Sequence, residues 1–483
     1  MQPSRSSWAI LIAILALLAI LALTGCGTGP PPPGPPAPRE VVDPFDSVVA
    51  RALRGGRVPG AVVAVVVGDT VAYLKAYGYV TVDSLEPLDT GARFQAGPAM
   101  ALVNALAVSQ MAGNDLLSLD APVGAYVPDL HESLHDPTVA ELLTHTAGLA
   151  RVAAVAGRTG EDDLLEAAHY LTRLDRVTDP GIVYSESPPG VMLAAYMMQR
   201  AGGAPYADVV DRFVFQPLGM TRSTLRHPGP DGVTPGHEIP ERSPETGLSW
   251  GDAPELRVRP VPPESALTMP VRGLYATAPD LTRLVRAYFN GGVVDGEARL
   301  RPDVVERAFR ARGTTPGGQP VSFGPLVGSW HGRRHVALAE SHHGHTLNLR
   351  ILPDDRIAVI LLANRDLGFL GGIPETALSR LVGLPDPERT PAPPPLPAAT
   401  DGLHLPPDRL VGEYWNGGEG LQLFMEAGAL RLRSGDWVLD VGWREGRYHA
   451  LIPDGRSALA FDILRDANGR LYMWLGDRVL ARD

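Results

Sequence analysis

The 483-residue chain has one cysteine, Cys26, and one lysine, Lys75. A lone thiol excludes an intrachain disulfide and a cysteine cage for a metal. A lone lysine leaves a single candidate for any mechanism that needs an amine as base or Schiff-base former. The other 42 of the 43 basic residues are arginines, and guanidinium stays protonated at any working pH. Positive charge is in deficit, with a net charge of −11. That balance gives a phosphate backbone nothing to bind, so no nucleic-acid partner is expected. Apolar residues make up 45% of the chain, and its length exceeds one compact core, so two or three domains are expected.

The first residues read as an address. After a short basic start, Trp8 to Leu23 is an unbroken run of sixteen apolar residues, followed by Leu23-Thr24-Gly25-Cys26. Such a run is short for a membrane span, which needs about twenty residues. It suits an export signal ending in small residues. Leu-Thr-Gly-Cys resembles the lipobox of bacterial lipoproteins. That resemblance implies lipidation of Cys26, a membrane anchor and a place in the cell envelope, facing the periplasm or the exterior. Residues 1–25 are then the signal and 26–43 a Pro/Gly-rich tether.

A second break, 385–407, contains Pro391-Ala392-Pro393-Pro394-Pro395-Leu396-Pro397, which packs as neither helix nor sheet. It separates a body, 44–384, from a tail, 408–483. In the body, Ala61 to Val67 is a β-branched run read as a buried strand. Gly68-Asp69 turns it, and Thr70 to Tyr79 returns. Pro98 to Ala112 reads as a buried helix. A further helix is expected from Thr277 to Asn290, with a capping hydroxyl, an early proline and an acid in its first turn. Strands return at Leu347–Leu352 and Ile357–Leu362. The fold class is therefore α/β (α+β): an antiparallel sheet built from N- and C-terminal segments, flanked by helices, plus a helical lobe. In the tail, seven short, evenly spaced strands from Leu410 to Leu475, with turn signals at Asp454-Gly455 and Asn468-Gly469, predict a small antiparallel barrel or sandwich.

Five stretches, Val58–Val66, Leu116–Leu130, Leu142–Leu149 (LLTHTAGL), Phe215–Met220 and Gly273–Ala278, carry a resemblance in their order and spacing. Together they resemble the serine β-lactamase and penicillin-binding-protein superfamily, in its class C, D,D-carboxypeptidase and esterase branch. The tail is similar to the small lipocalin-like barrel appended to many such proteins. The resemblance implies a serine acylated by substrate, a lysine one helical turn on, a Tyr-x-Asn loop and a Lys/His-x-Gly strand.

The chemical positions depart from that pattern. After Phe94-Gln95-Ala96-Gly97, the serine and lysine positions hold Pro98 and Ala101. Proline suits a first helical turn and alanine a helix interior, so the element is kept without nucleophile or base. The Tyr-Ser-Asn position reads Glu186-Ser187-Pro188, replacing a phenol with a carboxylate and an amide with an imino acid. His342-His343-Gly344 fits the third motif, with His342 and Gly344 in the family roles. The ligand cleft is thus assigned to Glu186, Ser187, His342 and Gly344, with no catalytic residue, cofactor or metal expected.

Other patterns have blander readings. Gly247-Leu248-Ser249-Trp250-Gly251 matches the G-x-S-x-G elbow, but its flanks are loop-like. His343 and His345 would share one face of a strand, yet the only acid close in sequence is Glu340. Together these readings give an exported, lipid-anchored pseudoenzyme that binds a peptidoglycan-like or acyl-peptide ligand. The alternative is an active serine hydrolase with a non-standard nucleophile, Ser185 or Ser187.

Overall fold

The computed structural model describes residues 38–128, 130, 134–151, 164, 176–238, 256–265, 268–366, 372–385, 403–417, 419–451 and 457–482. The apolar run, Cys26, the G-x-S-x-G stretch and the Asp454-Gly455 turn lie outside the described residues. No helix among the described residues is long and apolar enough to cross a membrane.

Helix α1, Pro38–Gly55, begins inside the stretch read as tether. Residues 39–43 contain neither glycine nor proline, and Pro38 is tolerated at a helix start, so helix extends past the expected boundary. Strands β1 (Gly60–Val67) and β2 (Thr70–Gly78) form the expected hairpin. Four later strands complete the sheet: β3 (Gly328–Trp330), β4 (Arg333–His342), β5 (His345–Leu352) and β6 (Ile357–Ala363). Their spatial order is β3-β4-β5-β6-β1-β2, with every pair antiparallel.

The run Gly-Ala-Val-Val-Ala-Val-Val-Val of β1 lacks polar alternation because both faces of this strand are covered. Val62, Ala64 and Val66 enter the large core, while Ala61, Val63 and Val65 pack on the other side with Leu53, Ile373 and Leu378. The large core lies between the Val62 face of the sheet and helices that include α2 (Met100–Gly113), α3 (Pro188–Gly202) and α4 (Ala278–Phe289), the last packed directly on β1 and β6. Helix α2 is apolar nearly all round and is buried accordingly. A 3₁₀ turn, Gly97–Ala99, runs straight into it, so Pro98 stands in the tighter turn just before the α-helix. Helix α4 starts as its sequence requires: the Thr277 hydroxyl accepts from the Asp280 amide at 3.3 Å, with Pro279 between them.

The tail is a closed eight-stranded antiparallel barrel. Its strands are β7 (Gly412–Asn416), β8 (Glu419–Glu426), β9 (Ala429–Ser434), β10 (Trp437–Arg444), β11 (Arg447–Leu451), β12 (Ser457–Arg465), β13 (Leu471–Trp474) and β14 (Val479–Arg482). The four-residue β14, too short to register in the pattern, pairs with both β13 and β7 and closes the ring.

The barrel is docked on the body. Ala150, Val177 and Val183 form a seam with Leu464, Trp474 and Val479. Beside it, the Asn416 side chain accepts from the Arg151 amide and donates to the Val479 carbonyl. The Ser185 hydroxyl accepts from the Val479 amide at 3.3 Å.

Candidate functional site

A cavity of about 530 Å³ opens where α2, the loop before α3 and strand β4 converge. Pro98, Ala101 and Asn104 supply one wall. Spacing by three puts them on a common helix face, so the wall offers a ring methylene, a methyl and an amide. That amide is already engaged: Asn104 donates to the Pro270 carbonyl at 2.8 Å and accepts from the Tyr206 hydroxyl.

Tyr184, Glu186 and Pro188 supply a second wall. Burial and the nearby Glu186 charge push the Tyr184 phenol well above its usual range, so it stays protonated. Its ring meets His145 edge-on, with centroids 5.6 Å apart. His145 accepts from the Ser187 amide at 3.1 Å through Nδ1, and burial lowers its pKa. It therefore holds the loop as a neutral imidazole.

Neither serine beside Glu186 faces the cavity. Ser187 caps α3: its hydroxyl accepts from the Gly190 amide at 3.2 Å and donates to the Ala150 carbonyl at 3.3 Å. Ser185 and Ser187 are both buried. Among the described residues, the only serine lining the cavity is Ser322, whose hydroxyl takes the Gly324 amide at 3.1 Å. Lys75 does not line it and pairs instead with Asp46.

Strand β4 forms the third wall, and here the expected register is corrected. Ala337 to Glu340 line the cavity, whereas His342 and Gly344 do not. His342 ends β4, His343 and Gly344 make a two-residue turn with φ of 47° and 77°, and His345 begins β5. His343 and His345 therefore do not share a strand face. Gly344 is a packing residue: a Cβ there would lie 2.5 Å from the His237 amide nitrogen.

Sequence reasoning missed three charged residues on the cavity rim. Arg272 pairs with Glu340 at 3.3 Å, and Arg151 reaches Asp477 of the barrel at 3.0 Å. Arg151 follows the LLTHTAGL stretch by two positions and Arg272 directly precedes Gly273, so the flanks of those motifs were the available signal.

His342 belongs to a neighbouring cluster. Its Nε2 donates to Glu264 Oε1 at 3.0 Å, and its ring lies against His343 at a tilt of 37° with centroids 3.6 Å apart. Glu264, nearly fully buried, also accepts from Gln95 and from the Thr268 hydroxyl.

The β-lactamase family model matches residues 45–424. An esterase, EstB of Burkholderia gladioli, is 31% identical over 194 residues, spanning 36% of this chain and 49% of the esterase. A penicillin-binding protein, PbpX of Bacillus subtilis, is 24% identical over 199 residues, spanning 41% of this chain and 46% of PbpX. The chain thus spans about half the length of these curated relatives. Among solved structures, SurE superposes with a TM-score of 0.74 at 23% identity, covering 93% of this chain and 100% of that one. An octameric penicillin-binding protein homologue from Pyrococcus abyssi gives 0.62 at 19% identity, covering 91% and 100%. These two likenesses extend the shared fold over nearly the whole chain, and the family match covers most of it. By that match, this chain belongs to the β-lactamase family.

Proposed function

We infer that this chain is an exported, lipid-anchored binding protein of the β-lactamase fold whose acyl-transfer chemistry has been lost. One observation supports the reading: at the positions where the sequence resemblance implies a nucleophile and a base, the cavity wall has Pro98 and Ala101. Loss of either group from such a unit typically costs about 10⁴ to 10⁶ in rate. The burial of Ser185 and Ser187 and their engagement with backbone argue against a substitute serine.

Binding is supported by the cavity itself. A volume of about 530 Å³ lies within the usual range for small-ligand sites. The cavity carries Glu186, Arg151 and the Arg272–Glu340 pair on walls that mix aliphatic side chains with Asn104, His145, Tyr184 and Ser322. The ligand class we assign is a peptidoglycan-like or acyl-peptide group, held at the cell envelope by the lipid on Cys26.

The test uses intact protein, a fluorescent penicillin and a chromogenic ester, read by mass spectrometry and absorbance. The expected result is an unchanged protein mass and no ester turnover. A covalent adduct, or turnover abolished by Ser185→Ala or Ser187→Ala, would falsify the reading. A rise in melting temperature with muropeptides supports ligand binding, since a ligand specific for the folded state must stabilise it; no rise removes the binding claim. Mass spectrometry of the membrane-extracted chain tests the anchor, with acylated Cys26 expected as its first residue.

A further inference from the structure

Beside the cavity, the fold completes a donor set that the sequence keeps apart. Glu264 lies 78 residues before His342, yet its Oε1 is 3.0 Å from His342 Nε2 and 3.6 Å from His343 Nδ1. All three donor atoms lie within 4.8 Å of one another. The His343 Nδ1 atom is buried and has no hydrogen-bond partner. A zinc-class ion with ligand bonds of about 2.0–2.2 Å places tetrahedral donors about 3.3 Å apart. The two separations from Glu264 bracket that value, and the two histidine nitrogens lie within 4.8 Å of each other.

The geometry points to a binding site for one divalent transition-metal ion of the zinc class, held by Glu264 Oε1, His342 Nε2 and His343 Nδ1, with a fourth position open. Two histidines and one glutamate form a ligand set that suits such an ion. Binding requires His342 to carry its proton on Nδ1 rather than Nε2, a tautomer shift that releases no proton. The Glu264 carboxylate is already oriented for coordination, because the Thr268 hydroxyl donates to Oε2 at 2.7 Å and the Gln95 side-chain Nε2 donates to Oε1. Such outer contacts fix a ligand's direction.

The position gives the site a consequence. A small recess lined by Gln95, Pro98, Arg272, Glu340, His342 and His345 adjoins the large cavity and shares Pro98, Arg272 and Glu340 with it. A metal held by His342 borders the cleft, where its open position could take an anionic or carbonyl oxygen. The site stands independently of the binding function proposed above.

The experiment takes the full chain, stripped with a chelator, and titrates it with zinc chloride by calorimetry and with cobalt(II) by visible absorption. Expected are one ion per chain, an intense cobalt band of the four-coordinate type, and a melting temperature raised by zinc. Glu264→Gln and His343→Asn should each weaken zinc binding at least ~10-fold. Asparagine accepts the left-handed backbone of position 343, and metal-free melts report whether each variant folds. The wild-type cobalt spectrum tests the site even if one variant does not fold. No binding by wild type, a six-coordinate cobalt spectrum, or unchanged affinity in a folded variant overturns the proposal.

Discussion

The amide of Glu186 donates to the carbonyl of Asp477 at 2.7 Å. Glu186, which lines the cavity, is thus fastened by its backbone to the barrel. Asn416 locks the same junction from beneath, joining the Arg151 amide to the Val479 carbonyl. Asn416→Ala leaves both groups without their partner, at about 1–3 kcal/mol for groups denied water. Calorimetry should show a lowered midpoint or a separate barrel transition. A single transition at the wild-type midpoint would contradict this docking.

Glu186→Gln keeps the side-chain outline and removes one charge from the cavity wall. If the cleft binds peptides bearing a free amine, their affinity should fall about fivefold, the scale of one exposed charge pair at roughly 1 kcal/mol. N-acetylated versions should lose little. Titration of both ligand forms against both proteins decides the matter, and an equal loss for the two would remove Glu186 from amine recognition.

Gly344→Ala should be severe although the position does not line the cavity. The residue sits at φ 77°, and the added carbon would meet the His237 backbone nitrogen at 2.5 Å. Backbone cannot yield as a flexible side chain does, so a loss beyond about 2 kcal/mol is expected. Gly442→Ala is the control, because its added carbon would meet only Leu451 at 3.6 Å. Urea unfolding of the two variants should separate them clearly; similar midpoints would contradict the close approach.

Stability should also fall in mild acid, and His345 supplies one cause. Its Nδ1 accepts from the Gln95 amide at 2.8 Å, and its Nε2 donates to the Thr234 carbonyl at 2.8 Å. Burial lowers its pKa from 6.5 to about 4. Between those values the unfolded chain binds the extra proton, so stability is full above pH 6.5 and declines as pH falls towards 4. At about 1.4 kcal/mol per unit the decline is on the order of 3 kcal/mol. Melting curves from pH 7 to 4 should show it, with a shallower slope in His345→Gln. Identical slopes would exclude His345 as a source.

The parts of this molecule legible in its sequence are those whose signals are local. Thr277, Pro279 and Asp280 announce the start of α4 within four residues, and the apolar run of β1 marks a strand covered on both faces. The barrel showed through the spacing of its strands, except for β14, whose four residues carry too short a pattern. The register of β4 misled because His342-His343-Gly344 has a motif's chemistry, while the residues that line the cavity, Ala337 to Glu340, are mostly aliphatic and resemble any strand. Glu264 gave no signal, because its meeting with His342 is made by tertiary folding across 78 residues.

The bond between Ser185 and Val479 joins residues 294 positions apart. Ring closure by β14 and seating of the cavity loop are therefore finished by the same late segment. The contact that seats the cavity loop can form in a growing polypeptide only after Val479 has been added.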